Sequence, residues 1–169
     1  MSEGSVDAMK IRPRFIDSAP RRSGLSDSVK GIDGFKKIKG IKRHLIVDSQ
    51  GNILHAHTTR ANISDGRVCP GMIVETKRRY PSLGEIRADK GYRGKDVARA
   101  AQEQGLNMVC TKSNAGGVIF VPAQGRWVIE RSISWRDNCR RLVRNYERKC
   151  GTATDMTVTA DIYRLLRFL

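Results

Sequence analysis

Short apolar runs separated by turn residues fill the first half of the chain, and wider helical spacings take over in the second. "PRFID" (13–17) is an apolar run that ends on a carboxylate. The following "SAPRRSGLSDSVKGIDGFKKIKGIK" is rich in Gly, Ser and Lys and predicts a long, mobile, basic loop. "RHLIVD" and "ILHAHT" flank "SQGN" and predict a β-hairpin. A helix follows, capped by Asn62 or Asp65 and continuing through "MIVETKRRY" to a stop at Pro81. Glu85-Ile86-Arg87-Ala88 predicts a short strand leading into Asp89, with Lys90–Gly94 as a turn. "KDVARAAQEQG" is an Ala-rich helix that Gly105 terminates. "LNMVCT" is a buried strand and "SNAGG" a loop. From about 125 to about 149 the spacing of Val128, Trp135, Cys139, Leu142 and Tyr146 predicts one long helix with an apolar stripe. "DIYRLLRFL" predicts a short closing amphipathic helix.

Three strands followed by alternating helices and strands indicate an α/β fold, a mixed sheet flanked by helices. That order matches the ribonuclease H-like topology. Residues 1–12 show no periodicity and read as a flexible tail, leaving 13–169 as one ribonuclease H-like domain.

Composition narrows the partner. The 169 residues carry 32 Lys and Arg against 17 Asp and Glu, a formal charge of +15, which draws the chain to polyanions and above all to nucleic acid. The four cysteines are scattered without a CxxC pair, which argues against structural zinc. The longest apolar runs are too short to span a bilayer. The expectation is a soluble protein of the cytoplasm with no membrane partner.

Under this topology Asp17 ends the first strand, Asp89 ends the strand after the first helix, and Glu130 lies one turn inside the long helix. Three carboxylates meeting at one sheet edge would repel unless a cation neutralised them. Oxygen-only clusters suit Mg²⁺ or Mn²⁺. Each acid also has an ordinary explanation: Asp17 and Asp89 as turn residues, Glu130 as a helix N-terminal acid. The residues alone leave both readings open.

Five blocks in order change the balance: "FIDS" (15–18), "GIDGFKKIKGIKRHLIVDSQGNIL" (31–54), "ANISDG" (61–66), "ADKGYRG" (88–94) and "GRWVIERSISWRDNCRRLVRNYER" (125–148). With them the chain resembles the transposases of bacterial insertion sequences of the IS5 type, within the DDE group. The resemblance implies that Asp17, Asp89 and Glu130 bind two divalent ions, Mg²⁺ or Mn²⁺. It implies DNA strand cleavage and strand transfer through two-metal phosphoryl transfer. Lys36, Lys37, Lys39, Lys42, Arg43, Lys90, Arg93, Arg126, Trp127, Arg131, Arg136, Arg140, Arg141 and Arg144 are the expected DNA contacts. Arg136, Arg140 and Arg144 are expected to form an exposed basic stripe. Asn138 departs from the family pattern, which has a basic residue there. Almost nothing precedes Asp17 where such transposases carry a DNA-binding region, so an upstream-frame partner is expected, with homo-oligomers forming on transposon ends and target DNA. The competing expectations are a catalytically impaired remnant that binds and regulates at DNA, and another ribonuclease H-like nuclease such as a junction resolvase.

Overall fold

The computed structural model describes residues 14–24, 29–110 and 126–167, the side chain of Lys90 excepted. The expected tail, the "SNAGG" loop and the run "GGVIFVPA" lie outside the described residues.

Among the described residues six strands form one sheet: β1 (Arg14–Arg22), β2 (Gly31–Ile32), β3 (Lys39–Val47), β4 (Ile53–Arg60), β5 (Glu85–Ala88) and β6 (Asn107–Cys110). β1 is central. It runs antiparallel to β3, from Phe15↔Val47 to Arg22↔Gly40, and parallel to β5, from Arg14↔Ile86 to Ile16↔Ala88. β6 continues the parallel side, while β4 and β2 pair with β3. Five helices complete the described fold: α1 (Asp65–Arg79), α2 (Lys95–Glu103), α3 (Arg126–Asp137), α4 (Arg140–Val143) and α5 (Cys150–Leu166).

Alternation along β1 sends neighbouring side chains to opposite faces. Ile16 joins Ile46, Ile73, Ile86 and Val97 in a core shared with α1 and α2. Phe15 joins Leu45, Val47, Val128 and Ile129 in a second core beneath α3. Each buried Ile or Phe contributes roughly 1.5–3 kcal/mol by leaving water, so these layers hold the helices against the sheet.

Three expectations change. About half of the described residues in the basic stretch after Asp17 are strand, where a loop is expected. β1 runs on through Pro20, which is tolerated because β5 has stopped at Ala88 and that side of the strand is an edge. Asp33 Oδ1 accepts the Phe35 and Lys36 amides at 3.0 and 2.6 Å and closes the tight turn into β3.

The long helix is interrupted. α3 ends at Asp137, and Cys139 has extended backbone before the four-residue α4. Asp and Asn favour turns over helix interiors. Val128 and Leu142 are buried as expected, but Trp135 and Cys139 are half-buried and Tyr146 is exposed.

The closing helix starts eleven residues early, at Cys150 rather than Asp161. Its inner face is Ala153, Thr157 and Asp161, packed toward β4. The Thr157 hydroxyl donates to the Ala153 carbonyl at 2.9 Å.

Candidate active site

Asp17 lies within β1, just past the point where β5 stops pairing. The Ser18 amide, with no β5 partner there, donates to Asp17 Oδ1 at 2.7 Å. Asp89 follows β5 directly, and the Tyr92 amide donates to its carbonyl at 3.0 Å, turning the chain into a single 3₁₀ turn. Glu130 is on the second turn of α3, a helix seated on β1 by Val128 and Ile129. The β3–β4 turn braces that helix. Ser132 Oγ donates to the Gly51 carbonyl at 2.8 Å, and a Cβ at Gly51, whose φ is +90°, would strike the same hydroxyl.

One guanidinium pairs with two of the three acids. Arg126 Nε is 2.9 Å from Glu130 Oε1, and its Nη1 is 3.6 Å from Asp89 Oδ2. Asp17 lies within the field of both Arg126 and Asp89. Among the described residues no three acidic, His or Cys side chains stand close enough to hold a metal as they are. Arg126, paired with Asp89 and Glu130, offsets the repulsion between these acids.

Burial pushes the Asp17 carboxyl up to about 6, with Asp89 and Asp65 adding to the rise while the Ser18 amide and Arg126 oppose it. A raised carboxyl pKa means that folding disfavours the ionised form, so stability falls as pH rises from 3.8 to about 6. Asp17→Asn removes that dependence. Its thermal midpoint should gain on the parent's through this window and keep a constant lead above it; a difference that does not change with pH would contradict the assignment.

The expected DNA contacts divide by burial. Lys42, Arg43 and Arg136 are buried, and their DNA roles are corrected to structural ones. Lys42 Nζ pairs with Asp33 at 2.8 Å and donates to the Ile63 carbonyl at 3.2 Å. Arg43 Nη1 donates to the Leu142 carbonyl at 2.7 Å, tying β3 to the end of α4. Arg136 Nη2 pairs with Asp161 at 2.6 Å, with both side chains only 5% exposed. The expected stripe of Arg136, Arg140 and Arg144 therefore keeps only its last two members on the surface.

Lys36, Lys37, Lys39 and Arg93 are also exposed. Arg141 is exposed but paired with Glu147 at 2.9 Å. Arg131 is stacked between Trp127 and Trp135, 4.5 and 4.6 Å from their ring centres, and donates to the Gln50 carbonyl. Trp127 itself is 57% exposed. For Lys90 only the backbone is described. Sequence reasoning missed Asp65 and Asp161. Asp65 reads there only as a helix cap and Asp161 as part of a short amphipathic helix, because a single acid carries no periodic signal.

Residues 3–116 match the family described as Transposase DDE domain. The chain belongs to that family. A curated relative, "Putative transposase for insertion sequence element IS402" of Burkholderia cepacia, is 29% identical over 120 residues, which cover 65% of this chain and 55% of the relative. The chain thus spans about half the length of that relative. Among solved structures, the catalytic core domain of BIV integrase superposes with a TM-score of 0.50 at 9% identity, covering 89% of this chain and 82% of that one. That likeness concerns the fold, which is ribonuclease H-like as the strand order indicated. DDE transposases generally use divalent metal ions and act on DNA. No helix among the described residues is long and apolar enough to cross a membrane.

Proposed function

We propose that this DDE transposase chain cleaves DNA strands and transfers them at an oxygen-only site formed by Asp17, Asp89 and Glu130, moving an insertion sequence of the IS5 type. The observation that carries the reading is that Arg126 links Asp89, at the end of β5, with Glu130 of α3, while Asp17 of β1 is near enough to feel the charges of both Arg126 and Asp89. A cation already sits among them, and the donors are the carboxylates that Mg²⁺ and Mn²⁺ prefer. When bound, the two ions supply activation of the attacking water or 3′-hydroxyl and stabilisation of the leaving oxygen.

The residues do the rest. Asp17, held on the sheet, must release its proton to act as a ligand, so metal affinity falls as pH drops below about 6. Asp89 and Glu130 are fixed by a tight turn and a packed helix, which lowers the cost of ordering them. Arg126, once freed from the acids, is placed to hold a DNA phosphate. Arg93, Arg140 and Arg144, with Lys36, Lys37 and Lys39, supply further phosphate contacts. Trp127 offers a stacking face, and the backbone at Lys90 follows Asp89 directly. The reading carries with it homo-oligomers on transposon ends, an upstream-frame partner for end recognition, and a place at the nucleoid.

The test is nicking of supercoiled plasmid by the purified chain with Mg²⁺ or Mn²⁺, absent with chelator. Cleavage indifferent to chelator would overturn the reading. DNA binding gives a second expected outcome. Phosphate contacts carry little sequence information, and about 5 of them give a slope near −4 to −5 for log K against log salt. End-containing and scrambled duplexes should bind alike. A preference of several kcal/mol for one end sequence would contradict this.

A further inference from the structure

Asp65 stands where the two aspartate segments meet. It is the first residue of α1, directly after Ser64. Its Oδ1 accepts the Ser18 hydroxyl at 2.8 Å, and Ser18 is the residue whose amide holds Asp17. Its Oδ2 faces the other segment, since a methyl group at Gly91 would come within 3.7 Å of it. On the inner side Lys42 Nζ lies 3.5 Å from Oδ1, and buried His44 Nδ1 lies 3.6 Å away. Lys42 is itself held by Asp33 at 2.8 Å, so the carboxylate is braced from beneath. The Asp65 side chain remains 25% exposed.

This placement answers a mechanical problem. β5 stops pairing at Ile16↔Ala88, so at Asp17 and Ser18 one side of β1 has no neighbouring strand. The Asp65–Ser18 bond ties that free side to the start of α1, a helix anchored in the core by Cys69, Met72 and Ile73.

We propose that Asp65 is a positioning residue: by anchoring Ser18, and through it Asp17, it sets the geometry in which the carboxylates take a divalent ion. Asp65 acts through Ser18 and needs no contact with the ion. The inference rests on the metal-site reading above, and the two can fail separately.

The experiment is calorimetric titration of the purified full chain with Mn²⁺ alone, alongside thermal unfolding of each variant. Asp17→Asn is the control for the reading itself, and parental Mn²⁺ affinity in that variant would sink the metal site. With that control weakened as required, Asp65→Ala and Ser18→Ala should each weaken Mn²⁺ binding by about tenfold, or 1.4 kcal/mol. The double variant should be no weaker than either single one, because both break one link. Asp65→Asn keeps an acceptor for the Ser18 hydroxyl and should restore affinity to within about threefold of the parent. Parental affinity in Asp65→Ala, additive losses in the double variant, or a parental Ser18→Ala beside a weakened Asp65→Ala would each overturn the proposal. If Asp65→Ala fails to fold, Ser18→Ala carries the test, since it leaves the Asp65–Lys42 pairing in place.

Discussion

Asp89→Asn is expected to lower metal-dependent strand cleavage by about three orders of magnitude or more. Asn matches Asp in size and shape, so the turn after β5 and the Tyr92 amide bond to the residue 89 carbonyl persist. What is lost is the charge that holds the cation. Metal-ion stabilisation of a phosphoryl-transfer transition state amounts to several kcal/mol, and each 1.36 kcal/mol is a factor of ten in rate. Binding to a non-specific duplex should stay within a few-fold of the parent, because that affinity comes from cations elsewhere on the surface. Initial nicking rates and duplex titrations on the same preparations check both halves. Cleavage retained within tenfold would remove Asp89 from the site.

The second large effect concerns stability. Asp161→Ala is expected to destabilise the fold by about 3–5 kcal/mol, because it leaves the Arg136 guanidinium buried without a counter-charge. Asp161 joins three elements. It pairs with Arg136 of α3 at 2.6 Å, takes Arg164 Nε at 3.0 Å within α5, and accepts the Ile53 amide at the start of β4 at 3.0 Å. Arg140→Ala, at an exposed position, should change stability by no more than about 0.5 kcal/mol. Urea unfolding of the two variants separates them. A small loss in Asp161→Ala would mean that Arg136 can reach solvent, and would reopen its role in contacting DNA.

The hairpin, the strand Glu85–Ala88 and the α2 helix with its stop at Gly105, where φ is +62°, were legible because local chemistry and final structure agree there. β1 beyond Asp17 was not. Pro20, Arg21 and Arg22 lead into a Gly- and Ser-rich run and carry no strand signal of their own, and only pairing with β3, a long-range contact, makes them strand. α5 was hidden for a related reason. Its buried face is Ala153, Thr157 and Asp161, and its Thr-rich sequence has weak helix propensity, so tertiary packing decides it. The candidate triad of Asp17, Asp89 and Glu130 comes from the order of blocks and the resemblance they carry. The fates of Lys42, Arg43 and Arg136 could not, because a basic residue that contacts DNA and one that pairs inside the fold look alike until its partner is known. Asp65 lies in "ANISDG", one of the matching blocks, yet only its distance to Ser18 shows what it touches.

Whether Asp17, Asp89 and Glu130 together hold a divalent ion is tested most directly by anomalous scattering from crystals grown with Mn²⁺. The expected result is Mn²⁺ bound by oxygens of Asp17 and Asp89, at least one ion also reached by Glu130, and Arg126 displaced from its present place between Asp89 and Glu130. Mn²⁺ found only elsewhere on the chain, or Arg126 still paired with both acids at saturating Mn²⁺, would contradict it.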